Sequence, residues 1–381
     1  MYHKLPSIPS VLFASLIIFL GCSPTEQKEQ SNPRLSFTSQ GYISIPIDSV
    51  SMNYSTYPYY FHNDTIDYYI TGNEIINSID FYDLKLKKLV RRNIYTKSGA
   101  DGILFTHDIY MKSLDSIYLY CFDDKKVLLT NFQGEVLQRY NVPDVRMLMS
   151  HLLAPFTVVG NDAYVSFMTP GDNRLQVGHR TMVKFNLLTN AFEEFGTKYP
   201  RVFEKYLYEN FIPMFAFGPD SNIVVRHGSL PEVFNFDIEG DSTTAFSMRS
   251  RFQYKEIIPN TEVAETRFTD HDFEQLVQPN YAGIYYDRFK ELYYSIYFDG
   301  VPVYDADSLK NQHDDKPMSI IVFNRKFENL GEVQLAKNKY TWNFIPTSLG
   351  LLVATSHRKN ADSKDDILQF EIFDIHEKVE P

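Results

Sequence analysis

The chain has 381 residues, a formal charge of -11, 57 Phe and Tyr residues against a single Trp, and only 2 Cys. A hydrophobic share of 44% supports a large buried core and excludes a disordered chain. Acidity without any basic block excludes nucleic acid as a partner, because that binding rests on Lys and Arg neutralising phosphates, and it equally excludes a body held to an anionic membrane by charge.

At the N-terminus, Lys4 precedes the apolar run Val11 to Leu20, which has the length of a secretory core and is too short to span a bilayer comfortably. Gly21-Cys22 follows at once. This segment resembles the export signal of bacterial lipoproteins, cut before a cysteine that then carries lipid. Gly21 fits the pattern, whereas Phe19 and Leu20 depart from it. The resemblance implies a signal peptide over residues 1–21, lipidation of Cys22, export and anchoring in the cell envelope, at the outer membrane. Residues 22–40, with no large apolar residue between Ser23 and Pro33, then read as a flexible tether. That leaves Cys121, inside the strand pattern Ile117-Tyr118-Leu119-Tyr120-Cys121-Phe122, as a small core residue with no disulfide partner.

The body, residues 41–378, reads as a repeat. Six times a β-type run is followed by a second: Ile66–Thr71 with Ser78–Leu84, Ser116–Phe122 with Val127–Phe132, Ala163–Met168 with Met182–Leu187, Asn222–Arg226 with Glu232–Ile238, Leu292–Phe298 with Ser319–Asn324, and Leu351–Ser356 with Ile367–Ile375. In each second run a turn-capping residue recurs: Asp83, Asn131, Asn186, Asp237, Asn324 and Asp374. Their separations are 48, 55, 51, 87 and 50 residues, so one unit carries an insertion, placed at about 251–280. A period near 50 with about four strands per unit is the spacing of propeller blades. The sixth unit has three strands, and Gly41–Ile47 is a spare one. Placing that strand in the sixth blade closes the ring and removes two open edges. The fold class is therefore all-β, a six-bladed β-propeller closed by its N-terminal strand.

Segments such as Asp115–Tyr120 leading to Asn131-Phe132-Gln133-Gly134-Glu135-Val136 resemble the six-bladed β-propeller lipoproteins common in Bacteroidetes, a family of unassigned function. The likeness covers roughly residues 40–378 and implies the fold, with no activity attached.

No nucleophile elbow, phosphate loop or paired-His zincin helix is present. Ser356-His357-Arg358-Lys359 matches a Ser-x-x-Lys spacing without the companion motifs. Asp270-His271-Asp272, Asp305-Ala306-Asp307 and His313-Asp314-Asp315 read as hydrated loops, and the sequons at Asn53 and Asn63 as chance. Propeller topology gathers the loops between second and third strands on one face, which nominates Asp123, Asp124, Asp172, Arg226, His227, Asp299, His357 and Arg358 for ligand binding. The expected function is a non-catalytic binding module for a protein, peptide or glycan. The alternative is a hydrolase or lactonase with a metal in the central channel. No cofactor is expected, although loop carboxylates leave a channel-bound metal such as calcium open.

Overall fold

The computed structural model describes residues 34–378, apart from 55–57, 100–101, 144–147, 150–154, 169–172, 209, 220–221 and 260–275. The proposed signal, Cys22, Asp172 and the Asp270–Asp272 cluster lie outside the described residues.

The chain opens with β1 (Leu35–Pro46), six residues earlier than the sequence reading places it. Blade 1 is β2 (Tyr59–His62), β3 (Asp67–Asn73), β4 (Ser78–Asp83) and β5 (Lys88–Ile94). Blade 2 is β6 (Asp108–Ser113), β7 (Ser116–Cys121), β8 (Lys126–Thr130) and β9 (Val136–Asn141). In blade 3 the first strand comes in two pieces, β10 (Leu148–Met149) and β11 (Thr157–Val159), both paired to β12 (Asp162–Phe167). Then follow β13 (Arg180–Asn186) and β14 (Phe192–Lys198). Blade 4 is β15 (Pro213–Phe217), β16 (Asn222–His227), β17 (Glu232–Asp237) and β18 (Ser242–Ser247). Blade 5 is β19 (Asn280–Asp287), β20 (Leu292–Phe298), β21 (Met318–Asn324) and β22 (Asn329–Gln334). Blade 6 is β23 (Phe344–Thr347), β24 (Gly350–Ala354) and β25 (Ile367–Glu377), completed on its outer edge by β1.

Every blade is an antiparallel meander. First strands of blades 1 and 2, 4 and 5, 5 and 6, and 6 and 1 touch one another, and β12 of blade 3 meets β15 of blade 4, so the inner strands ring the central axis. Among the described residues the buried apolar side chains form seven clusters, one at each blade junction and a seventh of Met168, Tyr199, Phe203, Phe211 and Leu230. Ile70, Phe81, Ile109 and Leu119 fill the junction of blades 1 and 2, and Met182, Phe215 and Phe236 that of blades 3 and 4. Ile43 and Ile45 of β1 pack with Tyr69, Leu352 and Phe370 between blades 6 and 1. This layout follows from strands that are apolar on both faces, since each sheet is covered by a neighbour on either side.

The repeated Asn or Asp has a visible cause. Oδ1 of Asp83, Asn131, Asn186, Asp237 and Asn324 accepts a backbone N–H two to four residues on, at 2.8–3.1 Å, capping the turn between third and fourth strands. Asp374 has no turn to cap, because its blade takes its fourth strand from the N-terminus. It lies within β25 opposite Thr38 and pairs instead with Lys290 of blade 5 at 2.8 Å.

β1 carries a bulge at Gln40-Gly41, where two residues stand opposite Ile372 and Gly41 takes φ +99°. The extra residue reverses the alternation. Leu35 and Phe37 face the junction of blades 5 and 6, while Ile43 and Ile45, of the same sequence parity, face that of blades 6 and 1.

Candidate functional site

A propeller offers two mouths, one at each end of its channel. At the first, where second strands lead into third strands, the structure places all the described sequence-nominated residues, but it does not converge them on one site.

Arg226 and His227, read as loop residues, are the last two positions of β16, and both are fully buried. Alternation sends them to opposite faces. The Arg226 guanidinium lies 3.7 Å from the Tyr281 ring centroid, and its Nη2 donates to Met248 O at 3.3 Å. Burial pulls its pKa down to about 10. His227 sits among the rings of Tyr199, Phe203 and Phe234, with Nδ1 at 2.7 Å from Phe211 O. Burial pushes it down to about 4, which keeps the ring neutral. Both are core groups, out of reach of a ligand at the mouth.

His357 and Arg358 do come together, on Asp315. Arg358 Nη2 and Lys359 Nζ pair with its carboxylate, the latter at 2.8 Å, and His357 Nε2 lies 3.1 Å from Asp314 O. The segment His313-Asp314-Asp315, expected to be hydrated, is a latch between blades 5 and 6 with Asp315 buried and its two neighbours half-buried. Asp315 is 2% exposed, and His313 is wedged between Phe298 and Trp342, where burial pushes it down to about 3. Lys359, engaged there, is unavailable to Ser356 as the Ser-x-x-Lys spacing would need. Asp299 Oδ1 accepts Gly300 N–H at 2.9 Å, Asp123 faces His107 at 3.5 Å, and Asp124 accepts Leu104 N–H at 2.8 Å. The nominated groups are thus taken up in separate local networks.

The insertion leaves blade 4 at this same end. Its core lies outside the described residues, but its base is tied down. Gln278 exchanges two hydrogen bonds with the backbone of Ile258, at 2.9 and 2.8 Å, and Lys316 Nζ donates to Gln278 O at 2.7 Å.

The second mouth, where first strands turn into second strands, holds a cavity of about 530 Å³ that the sequence reading did not single out. Its walls come from the ends of β2 and β6 and from the turn after β19. Tyr59, Tyr60, Phe61 and Tyr110 line it together with His62, Asn63, Lys112, Asp115 and Arg288. Tyr59, Tyr60, His62, Asn63, Tyr110 and Arg288 are positioned by specific contacts. Tyr59 OH donates to Met111 O at 3.3 Å, joining blades 1 and 2, and its ring meets Tyr110 edge-on at 5.9 Å. Tyr60 OH donates to Asp67, and His62 Nδ1 lies 3.3 Å from the same carboxylate, which is 1% exposed. Lys85 and Ser348 also reach Asp67, at 3.4 and 3.3 Å. Burial raises the phenols of Tyr59, Tyr60 and Tyr110, so all three stay protonated donors. Arg288 crosses from blade 5 and donates through Nη2 to His62 O at 3.2 Å, with Phe289 packed edge-on against the His62 ring at 5.2 Å. Asn63, noted above for its sequon, caps the turn beside the cavity by accepting Ile66 N–H at 2.9 Å.

Six four-to-five-stranded sheets around an axis, closed by a strand from the other end of the chain, define a six-bladed β-propeller. The chain belongs to the DUF4221 family, a domain of unknown function, matched over residues 34–334. Among solved structures it is similar to a member of that family from Bacteroides vulgatus, at 17% identity and a TM-score of 0.79, over 91% of this chain and 100% of that one. It is also similar to a candidate exported protein of Bacteroides fragilis, at 8% identity and a TM-score of 0.54, over 91% of this chain and 97% of that one. At these identities the likeness is one of fold. No curated protein matches the chain.

Proposed function

We propose that this protein is a non-catalytic binding module of the cell envelope whose ligand, a glycan or peptide segment, seats in the cavity at the second mouth. One observation carries the reading. A concavity of about 530 Å³ combines aromatic walls with hydrogen-bonding groups fixed from three blades, and sites of roughly 300–1,000 Å³ with that mixture suit small ligands. Tyrosine fits such a wall because it offers a flat apolar face and a polar tip at low entropic cost. Tethering through lipid on Cys22, at the outer membrane, is part of the proposal and rests on the lipoprotein-like segment ending at Gly21-Cys22.

The test is a glycan and peptide screen on the full chain in detergent, repeated with Tyr110→Ala. The variant should weaken any hit on the order of tenfold, the loss of one buried ring contact, without lowering the melting temperature by more than a few degrees. Unchanged affinity would remove the cavity from consideration.

The hydrolase alternative draws on one feature of the same wall, the His62–Asp67 contact, which has the geometry that orients a general base. Ester or lactone turnover by the wild type that disappears in His62→Ala would favour it. Among the described residues no three His, Cys, Asp or Glu gather as a metal-holding group.

A further inference from the structure

The protein has 48 acidic and 37 basic residues, and several of its cations are held by carboxylates. Arg92 is bound by Asp48 and Asp80, Arg180 by Asp241, Lys290 by Asp374, Lys339 by Glu371, and Lys359 by Asp315. Lys112 and Arg288 have no carboxylate partner among the described residues, and both line the cavity. Asp115 is the carboxylate on that lining, so the wall carries a net positive charge inside an acidic molecule.

Arg288 is also preorganised. Its Nη2 is held by His62 O at 3.2 Å, and its guanidinium carbon lies 5.0 Å from the Phe289 ring centroid. One hydrogen bond of the five a guanidinium can donate fixes the group, and the rest of the planar fork is left for a ligand. Arg288 lines the same cavity as Tyr59 and Tyr110, which puts it at the aromatic wall.

We infer that the cavity selects an acidic saccharide, its carboxylate paired with Arg288 and Lys112 and its sugar ring laid against Tyr59 and Tyr110. This rests on the binding-module reading and adds the chemical class of the ligand. A saccharide fits better than an acidic peptide because the wall is mostly flat rings, which match the C–H face of a pyranose. Asn63 and Ser113 match ring hydroxyls. Asp115 opposes a second close carboxylate, which favours one acid group in the cavity over a polyanion.

The experiment is calorimetric titration of the full chain with a galactose trimer carrying a single terminal galacturonic acid and with the neutral galactose trimer, on wild type, Arg288→Gln and Tyr110→Ala. The wild type should bind the acidic trimer on the order of tenfold or more tighter than the neutral one, the scale of one charge-assisted bidentate pair. Arg288→Gln should erase that preference, bringing the acidic trimer to the affinity of the neutral one within the same variant, and a melting temperature near that of the wild type, expected because Arg288 is on an exposed turn, checks that the fold is intact. Equal wild-type affinity for the two trimers, with Tyr110→Ala weakening both, overturns the charge selection and leaves the binding cavity standing. Binding of neither trimer, or of an acidic peptide in their place with the same dependence on Arg288, overturns the saccharide. Insensitivity of all binding to Tyr110→Ala overturns the cavity itself.

Discussion

Deleting Gln40 should harm the protein less than trimming one methyl-bearing side chain five residues away. Gln40 is exposed, and it is one of two residues standing opposite Ile372 in the bulge of β1. Without it, Gly41 takes the single position across from Ile372. Ser39 stays opposite Phe373 and Tyr42 opposite Glu371, so Leu35 and Phe37 keep their junction and Ile43 and Ile45 keep theirs. The deletion restores a regular ladder and should cost within about 1 kcal/mol. Ile45, by contrast, is 0% exposed between blades 6 and 1. Ile45→Ala removes buried carbon and leaves a cavity, a cost of about 2–5 kcal/mol. A propeller of this length unfolds with an entropy near 0.7 kcal/mol/K, so each kcal/mol moves the midpoint about 1.4 °C. Calorimetry should place the deletion variant within about 1.5 °C of wild type and Ile45→Ala about 3–7 °C below it. A deletion variant that melts as low as Ile45→Ala would refute the account of how this strand closes the ring.

Three further outcomes follow from other groups. His227 titrates near 4 when folded against 6.5 for an ordinary histidine, so the unfolded chain binds the proton first as pH falls. The stability its neutral ring confers is complete above pH 6.5 and is lost between about 6.5 and 4, on the order of 3 kcal/mol, and urea midpoints at pH 7.5 and 4.5 should show a slope that His227→Phe flattens. Arg226→Met should melt no lower than wild type, because a desolvated guanidinium with unpartnered Nε and Nη1 is exchanged for an apolar chain of similar reach, and a loss above about 5 °C would show the charge to be structural. Cys22→Ser should abolish incorporation of labelled fatty acid, and undiminished labelling would dismiss the anchor.

Much of the fold was legible because its cause is local. The third-to-fourth-strand turn needs a side chain that accepts a nearby backbone N–H, and Asp83, Asn131, Asn186, Asp237 and Asn324 repeat at the spacing of that turn. Asp374 extended the pattern for a different reason, its ion pair with Lys290, yet it still marked the third strand of blade 6. The start of β1 was not legible. Leu35, Phe37, Ile43 and Ile45 share one parity, and an unbroken strand would turn all four to the same side. Only the bulge at Gly41 lets both halves be buried, and a bulge is a property of the pair of strands.

The site was less legible, for a related reason. Polar residues after an apolar run mark a loop when read along the chain, and Val225-Arg226-His227-Gly228 looks like one. In the structure His227 pairs with Pro213 and Arg226 with both Met214 and Val233, so β16 runs on, and aromatic residues from the neighbouring connections bury its end. At the other mouth the failure ran the opposite way. β2 has four residues, too few for an alternation to register, and Tyr59-Tyr60-Phe61-His62 shows no period at all. Those rings become a wall only once β6 lies beside them and Arg288 arrives from a turn more than 200 residues along the chain. The one signal available was compositional, an aromatic run ending in a histidine on a first strand, in a fold whose first strands line the channel. In a propeller, therefore, the residues worth reading first for function are those on the short inner strands, where pattern is weakest and convergence greatest.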